Sequence, residues 1–410
     1  MSSPSQLLTG LDRVVADPGL LPAGRIGLLT HFAAVTSDLD RGVDALLAAG
    51  IDVRCLISPE HGYWGTGQAG TGNDEDLDPA SGLPVLDAYG LQGPELENLL
   101  TDAGIDRVVV DLQDIGCRFY TYVWSMTDVL AACARLSLPL TVLDRPAPVT
   151  TTALGPGLDP RCASFVGRFG VPLRHGSRLG GIARTIAVDH LEHPVDLQVL
   201  DAPGADGTAT WVAPSPNMPT LTTVALYPGT GLLEGAALSE GRGTTRPFEL
   251  FGAPWCGPEL TAALRELDLP GVRFREAAYR PTHSAFAGER VQGVQVHLTD
   301  DLGMTGDDRR PNDPAGHDAA GQDPAGQGPA GRGAAGYDRA GFDPLRVGHA
   351  ILSTVAELYP DQPLWREAVP GRPEFIDLLW GSAAMREGIA DRAGYEEILA
   401  ASPTPIELRR

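Results

Sequence analysis

The sequence has few cysteines and no long apolar run, and both shortages limit what the protein can be. Its five cysteines are widely spaced and form no CxxC pair, which argues against a disulfide framework and a zinc site. No stretch approaches the roughly 18 apolar residues of a membrane-spanning helix. The amino terminus also lacks a basic segment followed by an apolar one, so a cytoplasmic location is expected.

Basic residues are scarce as well. The 410 residues include 31 Lys and Arg against 53 Asp and Glu, a formal net charge of -22 at pH 7. Nucleic acids and anionic membranes are bound through basic surfaces, so neither partner is expected. The chain is 43% hydrophobic, which is enough for one large or two ordinary domains with real cores.

The first half alternates short apolar strands with amphipathic helices. Helices are predicted at 41–50 and 121–136, where apolar residues recur at three- and four-residue steps. Strands are predicted at 25–32, 53–58, 106–111, 138–144 and 196–201. This alternation is typical of a parallel sheet covered on both faces, so we predict a Rossmann-like α/β domain over residues 1–205.

The pattern changes after about residue 205, where loops rich in Pro and Gly separate short strands. A smaller α+β domain is predicted over residues 206–410. It contains an insert at about 306–342 built from imperfect repeats such as QDPAG and RGAAG. Gly, Pro and Ala in this proportion cannot bury a core, so we expect the insert to be disordered.

Polar residues cluster where the predicted strands end, and ligands of parallel sheets bind outside those ends. Glu60 and His61 follow the second strand on a tight turn. A partly desolvated carboxylate there is suited to general acid catalysis. The alternative is that Glu60 or His61 only ties down the loop through backbone amides.

The segment DLQDIGCRFYTY follows the third strand and mixes donors, acceptors and aromatic rings. Arg118 and Tyr120 are candidates for ligand contact, and Asp114 lies beside them. An internal ion pair between Asp114 and Arg118 is the alternative. Arg145 follows the next strand, and His175 in PLRHG is either a ligand contact or a turn residue.

In the second half, Glu234, Glu240 and Arg242 lie among glycines, where backbone can approach a ligand closely. The segment GRGTT lacks the spacing of a phosphate-binding loop, and the first strand is not followed by GxGxxG. No HExxH motif or His/Asp cluster indicates a metal. We therefore expect neither a nucleotide nor a metal cofactor.

Eight longer motifs occur along the chain in a fixed order. They are SPEHGYWGTGQAG, DLQDIGCRFYTYVWSM, VLDRPAP, SFVGRFGVPLRHG, SPNMPT, YPGTGLLEG, LSEGRGTTRPFELFGAPW and GVQVHLTD. In this order they resemble the NamZ-like exo-β-N-acetylmuramidase family, formerly a domain of unknown function. The similarity runs from about residue 22 to the carboxyl terminus, apart from the insert.

The resemblance implies a Rossmann-like domain packed on a smaller carboxy-terminal domain, with the active site in the cleft between them. It also implies removal of N-acetylmuramic acid from the non-reducing end of peptidoglycan fragments, without a cofactor. A glycosidase normally needs two carboxyl groups. Glu60 is our candidate for the acid. Its partner is Asp114, Glu234 or Glu240, with Glu240 favoured. In the alternative mechanism, the 2-acetamido group of the sugar itself attacks the anomeric carbon, and the second carboxylate only orients that group.

The substrate expected from the resemblance is a small carbohydrate or muropeptide. Arg118, Arg242 and His175 would bind the lactyl carboxylate and the hydroxyls of the muramyl unit. The complete set of expected substrate contacts is His61, Asp114, Arg118, Tyr120, Arg145, His175, Asn217, Glu234 and Arg242.

Four positions depart from the family pattern, and we expect them near the pocket. They are His31 in place of Asn, Ala147 in VLDRPAP, Leu154 in place of an acidic residue, and Gly181 in place of Glu. These changes leave two other functions open. One is a non-catalytic protein that binds a muropeptide or sugar, and the other is a hydrolase of a different amino-sugar glycoside.

Overall fold

The structure is a computed structural model that describes residues 9–73, 75–150, 152–202, 211–299 and 341–409. Nearly all of the predicted insert at about 306–342 lies outside these residues. So does most of the segment around residue 205, where the sequence predicts a domain boundary. The disorder of the insert and the position of the domain boundary therefore stay predictions.

A six-stranded parallel sheet forms in the first half, as the sequence predicts. Its strand order is β3-β2-β1-β4-β5-β6, so the direction of winding reverses between β1 and β4. The strands are β1 (Ile26–Thr30), β2 (Val53–Ser58), β3 (Val85–Asp87), β4 (Arg107–Asp111), β5 (Leu140–Leu143) and β6 (Leu197–Leu200). All but β3 correspond to predicted strands; β3 has three residues at the sheet edge and therefore carries little apolar pattern.

Helices cover both faces of this sheet because consecutive strand residues point to opposite sides. Leu28 belongs to the apolar cluster of one face and Leu29 to the cluster of the other. The first face is covered by α1 (Gly10–Ala16) and α2 (Gly42–Ala48), and the second by α3 (Pro94–Asp102), α4 (Tyr122–Leu136) and α5 (Leu179–Asp189).

The second half is a three-stranded antiparallel sheet, in the order β7-β9-β8, packed with helices. Its strands are β7 (Leu250–Ala253), β8 (Val272–Tyr279) and β9 (Val291–Leu298). Its helices are α6 (Leu221–Thr230), α7 (Pro258–Glu266), α8 (Pro344–Leu358), α9 (Phe375–Trp380), α10 (Ala384–Ala390) and α11 (Tyr395–Ala400), with a 3-10 turn at Gly231–Gly235. This confirms an α/β sheet with a smaller α+β part.

Helices α6 and α8 cross closely enough that only glycine fits at the contact. A Cβ atom on Gly229 would lie 1.7 Å from the carbonyl oxygen of Pro344, and one on Gly348 would lie 2.5 Å from that of Gly229. The crossing places the 3-10 turn after α6 against the first half, where the ring of Phe119 contacts that of Tyr227 edge-on at 5.1 Å. One apolar cluster therefore runs through both halves.

None of the described helices is long and apolar enough to span a membrane.

Candidate active site

A cavity of about 220 Å³ lies where the carboxyl end of β2 and the start of α4 face the second half. Six residues that the sequence predicted for the site line this cavity, and they come from both halves of the chain. They are Glu60, His61, Tyr120, Asn217, Glu234 and Arg242.

Glu60 lies just beyond β2 and is buried, with 6% of its surface exposed. Its Oε1 accepts a hydrogen bond from the backbone N–H of Gly70 (2.6 Å), and its Oε2 accepts one from the hydroxyl of Thr121, directly before α4. These two contacts come from opposite sides of the carboxylate. They hold Glu60 in one orientation at the wall of the cavity.

His61 has a left-handed backbone conformation (φ 73°), which turns the chain sharply after Glu60. Its Nδ1 lies 2.9 Å from the carbonyl oxygen of Gly67, so Nδ1 carries the proton and donates it. Burial lowers the pKa of His61, although the neighbouring charge of Glu60 acts in the opposite direction. His61 is therefore a neutral imidazole beside Glu60 at neutral pH.

Two glutamates from the second half share one arginine. Arg242 Nη2 lies 3.2 Å from Glu234 Oε1, and Arg242 Nε lies 3.3 Å from Glu240 Oε1. The guanidinium also lies over the ring of Phe248, 4.9 Å from its centre. Glu234 and Arg242 line the cavity, whereas Glu240 lies behind Arg242 and only 5% of it is exposed.

Burial and the negative charge of Glu234 raise the pKa of Glu240 to about 7, while Arg242 acts against this rise. The folded protein therefore keeps a proton on Glu240 at pH values where the unfolded chain has lost it. The contribution of this carboxyl to stability is complete at low pH. It is lost as the pH rises from 4.5, the usual pKa of a glutamate, to about 7, the pKa of Glu240 in the folded protein. A group with this behaviour is suited to exchanging protons near neutral pH.

We expect Glu240→Gln to remove this pH dependence, because glutamine does not titrate. The free energy of unfolding of the variant, relative to wild type, should rise by up to about 3 kcal/mol between pH 4.5 and 7 and then level off. Urea denaturation at several pH values measures this difference, with Glu192→Gln on the surface as a control for loss of a charge. Parallel pH profiles for wild type and Glu240→Gln would contradict the prediction.

Two predicted residues line a different and much smaller cavity, of about 10 Å³, near the carboxyl ends of β4 and β5, and a third, His175, contacts one of them. Arg145 and Asp114 line it, but Arg145 is paired with Asp111 at 2.6 Å. Asp114 lies 3.2 Å from Nε2 of the buried His175 and accepts a hydrogen bond from the backbone N–H of Gly116. This volume is about that of one water molecule, so Asp114, Arg145 and His175 do not lie where a sugar ring fits.

Arg118 does not line the larger cavity, which corrects the expectation that it contacts a ligand. Its side chain is buried, and its two terminal nitrogens donate to five backbone carbonyls, those of Pro156, Gly157, Val171, Leu379 and Trp380. Burial lowers the pKa of Arg118 to about 10. In the described part of the chain, Arg118 also forms no ion pair with Asp114. Its guanidinium is used to join the two halves.

None of the four departures from the family pattern lines the larger cavity. His31 is buried after β1, its Nε2 accepts the N–H of Gln113 (3.0 Å), and burial lowers its pKa to about 3. Ala147 lines the small cavity, and Leu154 pairs with the backbone of Arg174. A Cβ on Gly181 would lie 2.7 Å from the carbonyl oxygen of Arg409, so a glutamate here would displace the carboxy-terminal tail.

The larger cavity also contains residues that sequence reasoning missed. Phe165 and Phe375 line it, with their rings stacked at 6.4 Å and an angle of 14°. Arg366 lines it from a loop between α8 and α9. Thr121, which also lines the cavity, and Phe165 could have been found, since they lie in the quoted motifs that contain Tyr120 and His175. Arg366 and Phe375 stand in segments with no pattern that indicates a site.

The fold and the cavity define an α/β protein with buried carboxylates at the meeting of two halves. The chain belongs to the NamZ family. The model "Exo-beta-N-acetylmuramidase NamZ, N-terminal" matches residues 26–222, and the corresponding C-terminal model matches residues 225–305 and 319–406. This confirms the family resemblance read from the sequence.

Individual relatives agree with this assignment. The chain is 38% identical over 309 residues to the Peptidoglycan beta-N-acetylmuramidase NamZ of Bacillus subtilis (strain 168), covering 71% of this chain and 72% of the relative. A crystal structure of a DUF1343 family protein from Bacteroides fragilis NCTC 9343 covers 97% of this chain and 94% of its own, with 28% identity and a TM-score of 0.77. A second protein of that family and organism has 24% identity and a TM-score of 0.69, and it supports the fold alone.

Proposed function

We propose that this protein is a glycoside hydrolase that releases N-acetylmuramic acid from the non-reducing end of peptidoglycan fragments. The observation that carries the proposal is the position of Glu60, a buried carboxylate held at the wall of a cavity that also contains Glu234 and Arg242. Two carboxyl groups facing a sugar-sized space are what glycoside hydrolysis requires. Membership of the NamZ family supports the choice of sugar.

In this proposal Glu60 is the general acid, which protonates the oxygen of the leaving sugar. The second carboxyl group is Glu240 or Glu234. A pKa of about 7 supports Glu240 as a group that takes up and releases protons, and a place in the cavity wall supports Glu234. Alternatively, the 2-acetamido group of the substrate attacks the anomeric carbon and one of these glutamates orients it.

We assign substrate contacts to His61, Tyr120 and Asn217, which line the same cavity. The amide of Asn217 donates to the side chain of Gln68 at 3.3 Å, a contact that helps to fix its position. No group of three or more His, Cys, Asp or Glu side chains placed to hold a metal occurs among the described residues. In this proposal, every step of the reaction uses protein side chains and groups of the substrate.

The test is release of N-acetylmuramic acid by purified protein from the disaccharide that carries N-acetylmuramic acid at its non-reducing end. We expect saturable turnover, unchanged by chelator, and no cleavage of the disaccharide with the two sugars in reverse order. Tight binding without turnover would instead support a muropeptide-binding protein. Activity confined to other amino-sugar glycosides would support the second alternative.

We further propose that the reaction takes place in the cytoplasm, as part of the turnover of imported muropeptides. Detection of the protein in fractionated cells tests the location separately from the activity.

A further inference from the structure

The larger cavity contains two arginines, and only one of them is held by glutamates. Arg242 is shared by Glu234 and Glu240 at 3.2 and 3.3 Å. Arg366 uses one terminal nitrogen, Nη1, to donate to the backbone carbonyl of Glu234 at 3.1 Å. Within the described part of the chain, Arg366 forms no ion pair with a carboxylate. Among these residues, the cavity wall therefore contains a solvent-exposed cation that stands outside any ion pair, although its charge acts on the nearby Glu240.

The backbone that carries Arg366 is fixed. Its N–H donates to the carbonyl of Gly235 (3.1 Å), and the N–H of Ala237 donates to the carbonyl of Leu364 (2.8 Å), so the two segments run as a short antiparallel pair. Residue 234, which lines the cavity, stands at the end of one of these segments. Arg366 is thereby held beside Glu234 by main-chain contacts that do not depend on its guanidinium.

The side chain of Arg366 also has an aromatic support. Its guanidinium carbon lies 5.6 Å from the centre of the Phe375 ring, which is stacked in turn on Phe165. A guanidinium over a ring keeps its edge available for hydrogen bonds while its face is covered. The planar edge of arginine matches a carboxylate, which it binds through two parallel hydrogen bonds.

We propose that Arg366 binds the carboxylate of the lactyl group and so selects N-acetylmuramic acid over N-acetylglucosamine, which lacks that group. This inference rests on the proposed function. It reassigns the role expected of Arg118, Arg242 and His175, because Arg118 and His175 lie outside the larger cavity and Arg242 already holds two glutamates. Arg366 is a specificity residue in this scheme and takes no part in proton transfer.

The experiment measures binding of free N-acetylmuramic acid and free N-acetylglucosamine to the full chain by calorimetry. We expect wild type to prefer N-acetylmuramic acid, and Arg366→Gln to weaken its binding about ten- to fiftyfold, the range for loss of one charge-assisted contact. Binding of N-acetylglucosamine should change less than about threefold. Arg372→Gln, an exposed arginine of the same loop, is the matched control and should leave both affinities unchanged.

An unchanged preference for N-acetylmuramic acid in Arg366→Gln would overturn the inference, as would a wild-type protein without such a preference. Arg366→Lys keeps the charge but loses the planar pair of donors, so it should show an intermediate loss; it also serves if the glutamine variant does not fold. The proposed function is judged separately, by release of N-acetylmuramic acid from the disaccharide by wild type. Wild-type turnover with an unchanged preference in the variants would therefore reject only the role of Arg366.

Discussion

Replacing Glu60 with Gln is expected to lower kcat on the natural disaccharide by roughly two to four orders of magnitude, the usual contribution of a positioned general acid. Glutamine keeps the shape of the side chain and can still meet Gly70 and Thr121, so the fold should be retained. What it loses is the proton that the leaving sugar needs. Steady-state kinetics together with thermal unfolding measure both parts of this expectation.

Two comparisons show whether the effect is that of an acid. A substrate with an activated aryl leaving group needs little protonation, so Glu60→Gln should slow its cleavage much less than cleavage of the disaccharide. Glu249→Gln is a matched control, since Glu249 is also buried but bonds to Thr220 and Thr223 away from the cavity. If Glu60→Gln cleaved both substrates at the wild-type rate, the acid would have to be sought at Glu240 or Glu234.

Replacing Arg118 with Met is expected to lower the free energy of unfolding by roughly 3 to 5 kcal/mol, because each buried carbonyl that loses its donor costs about 1 to 3 kcal/mol and relaxation recovers part of the total. The carbonyl of Pro156 would keep the N–H of Leu173 as a donor (3.0 Å), but the other four carbonyls would lose the donor that Arg118 provides. Leu379 and Trp380 are the last residues of α9, where carbonyls have no partner within the helix. A cation at this end of a helix is favourable for the same reason.

Urea denaturation measures the loss, with the exposed Arg161→Met as control. Arg118→Lys should fall between wild type and Arg118→Met, because lysine keeps the charge but has fewer donors. Activity should decline together with stability, since α9 contributes Phe375 and Leu379 to the cavity wall. A change in unfolding free energy below about 1 kcal/mol for Arg118→Met would show that the five contacts are dispensable.

Residues next to a strand end were located well from the sequence. Glu60, His61 and Tyr120 were predicted from motifs that directly follow β2 and β4, and the structure brings them to one cavity. Asp114 and Arg145 satisfy the same rule, yet they face a cavity the size of one water molecule. The carboxyl edge of this sheet is long enough to present two separate spaces, and strand ends alone do not distinguish them.

The chain sequence by itself determined most strands of the parallel sheet, the covering helices α2 and α4, and the placing of Glu60 at the sheet edge. These features depend on apolar periodicity and on residues close together along the chain. Only the tertiary structure decided that Arg118 is a buried link between the halves and that Arg366 lines the same cavity as Glu60. Both features depend on packing between segments that are hundreds of residues apart. The sequence shows only an arginine, whether its partner in the fold is a backbone carbonyl, a glutamate or a ligand.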